Sequence, residues 1–167
     1  QNIGIFMQNA PQFRIEENSF RGKPNSITDW YNIGTVVANS HEAANVVYNN
    51  TYDSLTHGVC AIGNNRPAYG GSGSVASGLR ILCNTFSNSW ADISILSDGG
   101  SATQGIAGEL GHLYPPTSAG NTFSGSTANI NNNCAPLIYY YDTANSSTER
   151  PVNVTTSTVA RYTETNA

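Results

Sequence analysis

The stretch Leu79-Arg80-Ile81-Leu82-Cys83-Asn84-Thr85-Phe86 contains the pattern that decides the fold: a short β-favouring run, then asparagine, Ser or Thr, and an aromatic residue. The tripeptide recurs with steps of 32, 34 and 37 residues between its asparagines. A period of this size, with two strands and a polar turn expected in each unit, is typical of a solenoid. The four copies are Asn18-Ser19-Phe20, Asn50-Thr51-Tyr52, Asn84-Thr85-Phe86 and Asn121-Thr122-Phe123.

A branched residue lies seven positions after each of the last three aromatic residues and predicts the next strand. These residues are Val59, Ile93 and Ile130. In the first unit the expected equivalent is Ile33, which follows an insertion around residues 23–30.

The tripeptide has a physical explanation. An asparagine side chain carries both a donor and an acceptor and tolerates a left-handed backbone, so it suits a sharp, buried turn. We therefore expect a ladder of hydrogen bonds between the four asparagines, with the aromatic rings stacked inside the core about 4.8 Å apart. Both sets are expected to be structural: Asn18, Asn50, Asn84 and Asn121, with Phe20, Tyr52, Phe86 and Phe123.

Composition limits the partners that the chain can have. Its 167 residues are one domain's worth of chain, only 11% are charged, and there is one Lys, so strands and turns are favoured over helices. A net charge of −4 gives no basic footprint for nucleic acid. No apolar run approaches the roughly 20 residues that a membrane span needs. Gln1 leads directly into a strand-like run, so we expect a secreted chain that begins after a processing site or partway through a longer protein.

Three cysteines, Cys60, Cys83 and Cys134, do not share a position in the repeat. Stacking alone therefore places no pair within disulfide reach, and isolated or buried thiols are the preferred interpretation. No Cys or His pair has the spacing of zinc ligands, and no cofactor is predicted.

Two segments show what the repeats resemble. Residues 78–86 followed by Asp92-Ile93-Ser94-Ile95, and then Ala119-Gly120-Asn121-Thr122-Phe123, are similar to right-handed parallel β-helix repeats. More narrowly, they resemble those of large secreted bacterial cell-surface proteins that carry a C-terminal sorting domain. The resemblance covers roughly residues 3 to 141. It implies three sheets around a flattened core, with asparagine ladders at one turn. The wider pectate-lyase-like superfamily includes enzymes that cleave acidic polysaccharides, adhesins and phage tailspikes, so the fold alone does not choose a function.

The predicted fold is all-β: a right-handed parallel β-helix of about four to five rungs with long Gly/Ser-rich loops, over residues 1–141. Residues 142–167 are expected to form a terminal strand or a linker to a following module. Strands are expected at 137–141 and 152–159. Neither end shows a polar capping unit, so we expect continuation by the same chain or end-to-end assembly of identical copies.

Two long loops, 64–78 and 97–119, join equivalent strands and are expected to emerge together. Polar and aromatic side chains on a shared surface suit contact with a carbohydrate or a protein, although the loops could equally do no more than cover a sheet edge. The candidate contact residues are Arg66, Tyr69, Gln104, Glu109, His112 and Tyr114.

The alternative function is a polysaccharide lyase or glycoside hydrolase whose site lies partly outside this chain. Such an enzyme needs clustered or facing carboxylates. Only Asp98 and Glu109, with His112 nearby, share a loop in a suitable way, and no catalytic residue is assigned. The three histidines, His41, His57 and His112, are expected to face solvent.

Short motifs indicate candidate glycosylation sites. Asn145 and Asn153 begin N-glycosylation sequons, while Ser54 and Thr143 follow aspartate in a pattern that resembles bacterial O-glycosylation. The preferred function is a non-catalytic structural or adhesive segment, such as a stalk, filament or adhesin, at the cell surface. An ice-binding surface on the Thr-rich residues 154–163 is a weaker alternative, because a regular column of threonines is missing.

Overall fold

The computed structural model describes residues 2–23, 32–41, 44–67, 77–99, 105–106, 109–111, 117–123, 126–155 and 158–163. These ranges contain fourteen strands and one helix of four residues. The strands are β1 (Asn2–Gln8), β2 (Arg14–Glu16), β3 (Ser19–Arg21), β4 (Asn32–Ala38), β5 (Val46–Tyr48), β6 (Thr51–Asp53), β7 (His57–Ile62), β8 (Arg80–Leu82), β9 (Thr85–Ser87), β10 (Ala91–Leu96), β11 (Glu109–Leu110), β12 (Ala128–Asn132), β13 (Leu137–Asp142) and β14 (Thr158–Thr163), and the helix is α1 (Ser146–Glu149).

All the strand pairs are parallel, and the described strands form four sheets. Sheet A has the order β1-β4-β7-β10-β12, sheet B is β2-β5-β8, sheet C is β3-β6-β9, and sheet D is β11-β13-β14. Over its first three repeats the chain passes through sheets A, B and C in turn and returns to each one strand further along. The prediction of an all-β chain with parallel pairing is confirmed.

Each of the first three repeats contains three strands, not the two that the sequence predicted, whereas in the fourth repeat Thr122 forms only an isolated bridge to Thr85. The Ser or Thr of the tripeptide starts the third strand, because a single left-handed residue before the asparagine turns the chain from sheet B into sheet C. Three of these residues are not glycine, which shows how strongly the corner imposes this backbone. The corner residues are Glu17 (φ 59°), Asn49 (φ 52°), Cys83 (φ 57°) and Gly120 (φ 66°).

The register of sheet A also differs from the expectation. Ile33 pairs with His57, and Thr35 takes the position opposite Val59 that was predicted for Ile33. The reason is that glycines must lie beneath the aromatic rings. A Cβ on Gly34 would lie 2.5 Å from the Tyr52 ring, which is closer than real atoms approach, so Gly34 has to align with Gly58.

The core lies between the sheets and is formed by columns of branched and aromatic side chains. Each fully buried aliphatic residue contributes about 1.5–3 kcal/mol relative to an exposed one. Burial is most complete from the second repeat onward, where the relevant side chains are at most 1% exposed: Val37, Val47, Val59, Ile81, Ile93, Ile95, Ile130 and Leu137. In the described residues no helix has the length and apolar character needed to cross a membrane.

Candidate functional site

The four asparagines of the tripeptide form one continuous series of hydrogen bonds. The Oδ1 atom of Asn50 accepts both the backbone N–H and the Nδ2 of Asn18, each at 3.0 Å. Asn84 accepts the same pair from Asn50 at 3.0 Å. Asn121 accepts it from Asn84, at 2.9 and 3.1 Å. Since Asn50, Asn84 and Asn121 are at most 1% exposed, the series satisfies polar groups that water cannot reach.

This ladder has a direction. Each side-chain oxygen accepts from the repeat before it, and the amide groups of Asn50, Asn84 and Asn121 donate back to a carbonyl of that repeat at 2.8–3.1 Å. Asn18 begins the series. Its Nδ2 donates to Asn50 and to the Glu16 carbonyl, but no described residue donates to its Oδ1. At this first position of the ladder, the acceptor atom Asn18 Oδ1 is therefore unused within the described residues.

The aromatic rings form a second column beside the ladder. Ring centroids are 5.0 Å apart for Phe20–Tyr52, 5.1 Å for Tyr52–Phe86 and 5.9 Å for Phe86–Phe123, with interplanar angles of 8°, 11° and 8°. Tyr52 and Phe86 are buried, whereas Phe20 is only half-buried. Burial raises the pKa of the Tyr52 hydroxyl, which bonds to the Thr35 hydroxyl at 3.0 Å.

We call the outer edges of β1, β2 and β3 the open end. Each of these strands is the first in its sheet, so no described strand pairs with its other side. The side chains there are less completely buried than their counterparts in later repeats: Ile5, Met7 and Phe20 are half-buried, and Phe6 is 53% exposed.

A cavity of about 570 Å³ opens beside Phe20 at this end. In later repeats the chain passes from sheet C to sheet A through three residues, 54–56 or 88–90, and Leu55 is buried in the first of these connections. After β3 the connection is longer, residues 22–31, and residues 24–31 lie outside the described ranges. The cavity is lined by β1, β3 and β4 together with Gly22, Lys23 and Leu55.

Two cations, Arg21 and Lys23, border this cavity in an otherwise acidic chain. The Arg21 Nε lies 3.1 Å from Asp53 Oδ2. Hydrogen bonds from Asn88, Ser87 and Ser54, more than the charge of Arg21, lower the pKa of Asp53. Asp53 therefore stays ionised, and the exposed Arg21 keeps a carboxylate beside it.

On the opposite side of the stack, residues 145–155 cover β12 and Phe123, and we call this region the covered end; in sheet D the last described strand is β14. Here Asn129 Oδ1 accepts the backbone N–H groups of Val152 and Asn153 at 3.0 and 3.2 Å. Thr155 Oγ1 both accepts from Asn132 N–H and donates to its carbonyl, each at 2.9 Å. The N–H of Phe123 donates to the Thr148 carbonyl of α1 at 2.9 Å.

The expectation that neither end is capped is therefore wrong for β12 and Phe123. The strand predicted at 152–159 is also corrected, because residues 152–155 form no regular strand and bond to β12 through both side chains and backbone groups. Asn129 N–H donates to the Asn153 carbonyl at 2.9 Å, and Thr155 N–H donates to the Ile130 carbonyl at 3.2 Å. Within that segment Val154 forms a single parallel bridge to Ile130, and the regular strand β14 starts only at Thr158. Sequence reasoning did place β13, found at Leu137–Asp142.

Asp92 carries a buried carboxylate that the sequence did not single out. It occupies the sheet position of Gly58, is 0% exposed, and accepts from Ser126 Oγ at 2.7 Å and from Asn129 Nδ2 at 3.0 Å. Burial raises the pKa of Asp92 to about 7, and the hydrogen bonds from Asn129 and Ser126 oppose this only in part. An alignment of the repeats would have shown that Asp92 stands at a position where the three earlier repeats have glycine: Gly4, Gly34 and Gly58.

His57 was expected to face solvent, and the structure corrects this. It lies in β7, half-buried, with Nδ1 2.8 Å from the hydroxyl of Ser94 and its ring edge-on to Trp90 at 5.5 Å. Burial lowers the pKa of His57, so the neutral ring is favoured. Because Ser94 is 0% exposed, the pair is a buried hydrogen bond and not an accessible nucleophile.

Of the six predicted contact residues, Tyr69, Gln104, His112 and Tyr114 lie outside the described residues. Arg66 is half-buried, and Glu109 is described only through its backbone, which pairs with Ile138 in sheet D. The bases of the two loops do meet, because Asn64 forms a parallel bridge with Gly105 and Asn65 N–H donates to the Gly105 carbonyl at 2.7 Å.

The glycosylation candidates differ in accessibility. Asn145 and Thr143 are exposed at the start of α1. Asn153 is exposed, but its Nδ2 donates to the Ser126 carbonyl at 2.7 Å, so modification there would break a contact of the covered end. Ser54 is half-buried and donates to Asp53 at 3.0 Å.

The three cysteines are free thiols. Burial raises the pKa of Cys60 to about 11, so this thiol stays protonated. His41 is exposed at a left-handed corner. Within the described ranges, no three His, Cys, Asp or Glu side chains gather closely enough to hold a metal ion.

Comparison with protein families, with characterised proteins and with solved structures gives no match. The function must therefore be inferred from the geometry of the chain.

Proposed function

We propose that the chain is a right-handed parallel β-helix that serves as a non-catalytic structural or adhesive segment of a secreted or cell-surface protein. The observation that carries this proposal is the in-register stacking of three sheets, supported by the asparagine ladder and the aromatic column. The right hand follows from the crossover preference of parallel strands.

Stacking of this kind makes a stiff element. Every strand in the interior of a stack is hydrogen-bonded on both sides, and the ladder adds buried side-chain bonds at the corner where each repeat bends. Such a stack holds its loops at fixed positions. The joined bases of loops 64–78 and 97–119 would then present one surface for a carbohydrate or protein ligand.

The enzymatic alternative, a polysaccharide lyase or glycoside hydrolase, needs an accessible acid or base. Asp92 has a suitable pKa near 7, but its carboxylate is 0% exposed and bonded to Ser126 and Asn129. A group that cannot touch a substrate cannot transfer a proton to it. The geometry of Asp92 is that of a structural residue.

Retention and turnover measured on the same polysaccharides test this proposal. The chain should be retained on immobilised glycans or matrix proteins, and it should release neither reducing ends nor unsaturated products. Replacing Arg66 by Ala should weaken retention, whereas Glu17→Gln, which follows β2 at the edge of sheet B opposite β8, should not. Product formation above a heat-denatured control would support the enzyme instead.

A further inference from the structure

The buried carboxylate of Asp92 stands where earlier repeats have no side chain. Asp92 occupies the position of Gly58 in sheet A, and a Cβ on Gly58 would lie 2.6 Å from the Phe86 ring. The aromatic column is wider in the repeat that contains Asp92, since the centroid distance is 5.9 Å for Phe86–Phe123 and 5.1 Å for Tyr52–Phe86. The fourth repeat thus holds a carboxylate at a position that the earlier repeats keep free of side chains.

Both residues that bond to this carboxylate also hold the covered end. Ser126 Oγ and Asn129 Nδ2 donate to Asp92 at 2.7 and 3.0 Å. The other amide atom of Asn129, Oδ1, accepts the backbone N–H groups of Val152 and Asn153. The Asn153 side chain donates in turn to the Ser126 carbonyl at 2.7 Å. Each side-chain hydrogen bond of Asp92 therefore leads to a residue that also binds Asn153.

We call residues 152–154 the closing segment. Val152 is 69% exposed and Val154 is 37% exposed, so little apolar burial holds this segment in place. Hydrogen bonds hold it instead, because the Asn153 carbonyl also accepts the N–H groups of Asn129 and Ile130 at 2.9 and 3.3 Å. A segment attached in this way can open without unfolding the repeats beneath it.

The contacts on either side of the closing segment do not involve Asp92 or its two partners. Before it, the Thr148 carbonyl accepts the N–H of Phe123 at 2.9 Å. After it, the Thr155 hydroxyl bonds to the backbone of Asn132. These contacts mark the two points between which the closing segment can move.

Among the described residues, no charge is placed to offset that of an ionised Asp92. β12 has no titratable residue, and β7 contributes His57 and Cys60, whose neutral forms burial favours. At the covered end, Glu149 accepts a backbone N–H of β13, and Arg150 is exposed. Burial is the largest influence on the pKa of Asp92 and raises it to about 7, opposed only in part by its hydrogen bonds.

We propose that the closing segment is a pH-dependent closure, which lies on β12 below neutral pH and is released above it. An ionised carboxylate inside the stack needs water, and release of the segment uncovers Ser126 and Asn129, the two groups bonded to Asp92. Release also uncovers the outer edge of β12, because the N–H groups of Asn129 and Ile130 lose their acceptor.

The direction of the effect follows from the pKa of Asp92. The value of about 7 in the closed form lies above the ordinary 3.8, so the closed form binds this proton more tightly than a form in which the carboxyl is solvated. The stabilisation of the closed form is fully present below about pH 4 and is lost as the pH rises through about 7.

Hydrogen exchange of the whole chain, resolved by NMR for single amides from pH 5.5 to 8.5 and corrected for intrinsic rates, tests this proposal. The N–H groups of Val152 and Asn153 should lose protection by about tenfold or more over this range. Asn50 N–H, which donates to Asn84 Oδ1 in the interior, is the reference and should stay more protected at each pH. Low concentrations of urea should leave the exchange of Val152 and Asn153 unchanged, because a local opening exposes little surface.

Three variants assign the effect to one carboxyl group. Asp92→Asn cannot ionise and should keep Val152 and Asn153 protected at pH 8.5. Asp98→Asn, at an exposed position, should keep the pH dependence of the parent. Asp92→Gly restores the residue of the earlier repeats and should also lack the pH dependence, so the test does not depend on the folding of Asp92→Asn.

Three results would overturn the proposal. The first is protection of Val152 and Asn153 that stays constant with pH, and the second is protection that falls only together with that of Asn50. The third is a loss of protection at pH 8.5 that persists in the folded Asp92 variants.

Discussion

At the covered end, Asn129 and Thr155 offer side-chain oxygens to backbone N–H groups, and a non-repeating segment fills the space where another repeat would lie. At the open end, within the described residues, the Oδ1 of Asn18 accepts no hydrogen bond and the ring of Phe20 stacks only on that of Tyr52. Both ends face the same problem, since a parallel sheet always ends in unpaired backbone groups. The covered end solves it by changing the sequence, and the open end retains the pattern of the repeat.

The difference shows how a repeat can be ended. Ile95 of β10 pairs with Asn132 of β12, and Ser94 pairs with Asn131, so polar residues replace the earlier alternation in the last strand of sheet A. Asparagine side chains then bond to the segment that follows. The open end keeps the apolar positions, because Ile3, Phe6 and Met7 pair with Ile33, Val36 and Val37 of β4.

The largest expected difference concerns the aromatic column. Replacing Phe86 by Ala should lower the free energy of unfolding by about 3–5 kcal/mol, because a fully packed ring leaves a cavity. Replacing Phe20 by Ala should cost less than half as much, since this ring is only half-buried and, among the described residues, stacks on Tyr52 alone. Urea denaturation of both variants measures the two values. Equal costs would show that the open end is as tightly packed as the interior.

A second test compares the asparagines at the two ends. Asn129→Ala removes the acceptor of two backbone N–H groups and one donor to the buried Asp92, so a cost on the order of 3 kcal/mol is expected. Asn18→Ala removes only the Nδ2 donor: the buried Asn50 Oδ1 keeps the backbone N–H of residue 18, and the Glu16 carbonyl belongs to an exposed residue, so a cost of about 1 kcal/mol or less is expected. Denaturant midpoints at constant m-value give both numbers. A larger cost for Asn18 would mean that the open end is closed in solution.

The sequence predicted the repeat because each Asn-x-aromatic copy has a local physical reason that does not depend on its neighbours. The asparagine side chain can both donate and accept beside the left-handed corner, although the corner itself falls on the residue before it, and the aromatic residue alternates inward. It was therefore possible to align Asn18, Asn50, Asn84 and Asn121 without a structure, and the same four residues form the hydrogen-bonded series.

What the sequence did not predict depends on contacts between distant residues. The pairing of Thr35 with Val59 follows from the lack of space above Gly34, and the third strand follows from a corner residue that need not be glycine. A second set of buried asparagines was missed because it lacks a following aromatic residue. In this set, Asn45 accepts Phe13 N–H and Asn65 accepts Ser40 N–H, each at 3.1 Å.

The candidate site was harder to predict than the fold. The cavity beside Phe20 depends on how the chain leaves β3, and Asp92 is unusual only when placed in the column of Gly4, Gly34 and Gly58. Neither feature has a local motif.

The smallest expected effect concerns Asp92 and depends on pH. Its folded-state pKa of about 7 lies above the ordinary value of 3.8, so the folded protein holds this proton more tightly than the unfolded chain. The resulting stabilisation is fully present below about pH 4 and is lost as the pH rises through about 7. A difference of this size corresponds to roughly 4 kcal/mol at most. The folded protein is therefore less stable above neutral pH, where Asp92 is ionised in a buried position.

Asp92→Asn keeps the size of the side chain and can keep both hydrogen bonds, because an amide oxygen accepts from Asn129 and an amide nitrogen donates to the Ser126 hydroxyl. The variant should match the parent at pH 5 and exceed its stability by about 1–2 kcal/mol at pH 8, where it avoids the buried charge. Neither Ser126 nor Asn129 titrates in this range, so the difference between the two proteins isolates Asp92. Thermal melts from pH 4 to 9 measure it, with the exposed Asp98→Asn as the matched control. A stability gain that is the same at pH 5 and pH 8 would contradict this prediction. It would mean that the folded-state pKa of Asp92 is close to its ordinary value, as expected for a carboxylate exposed to solvent.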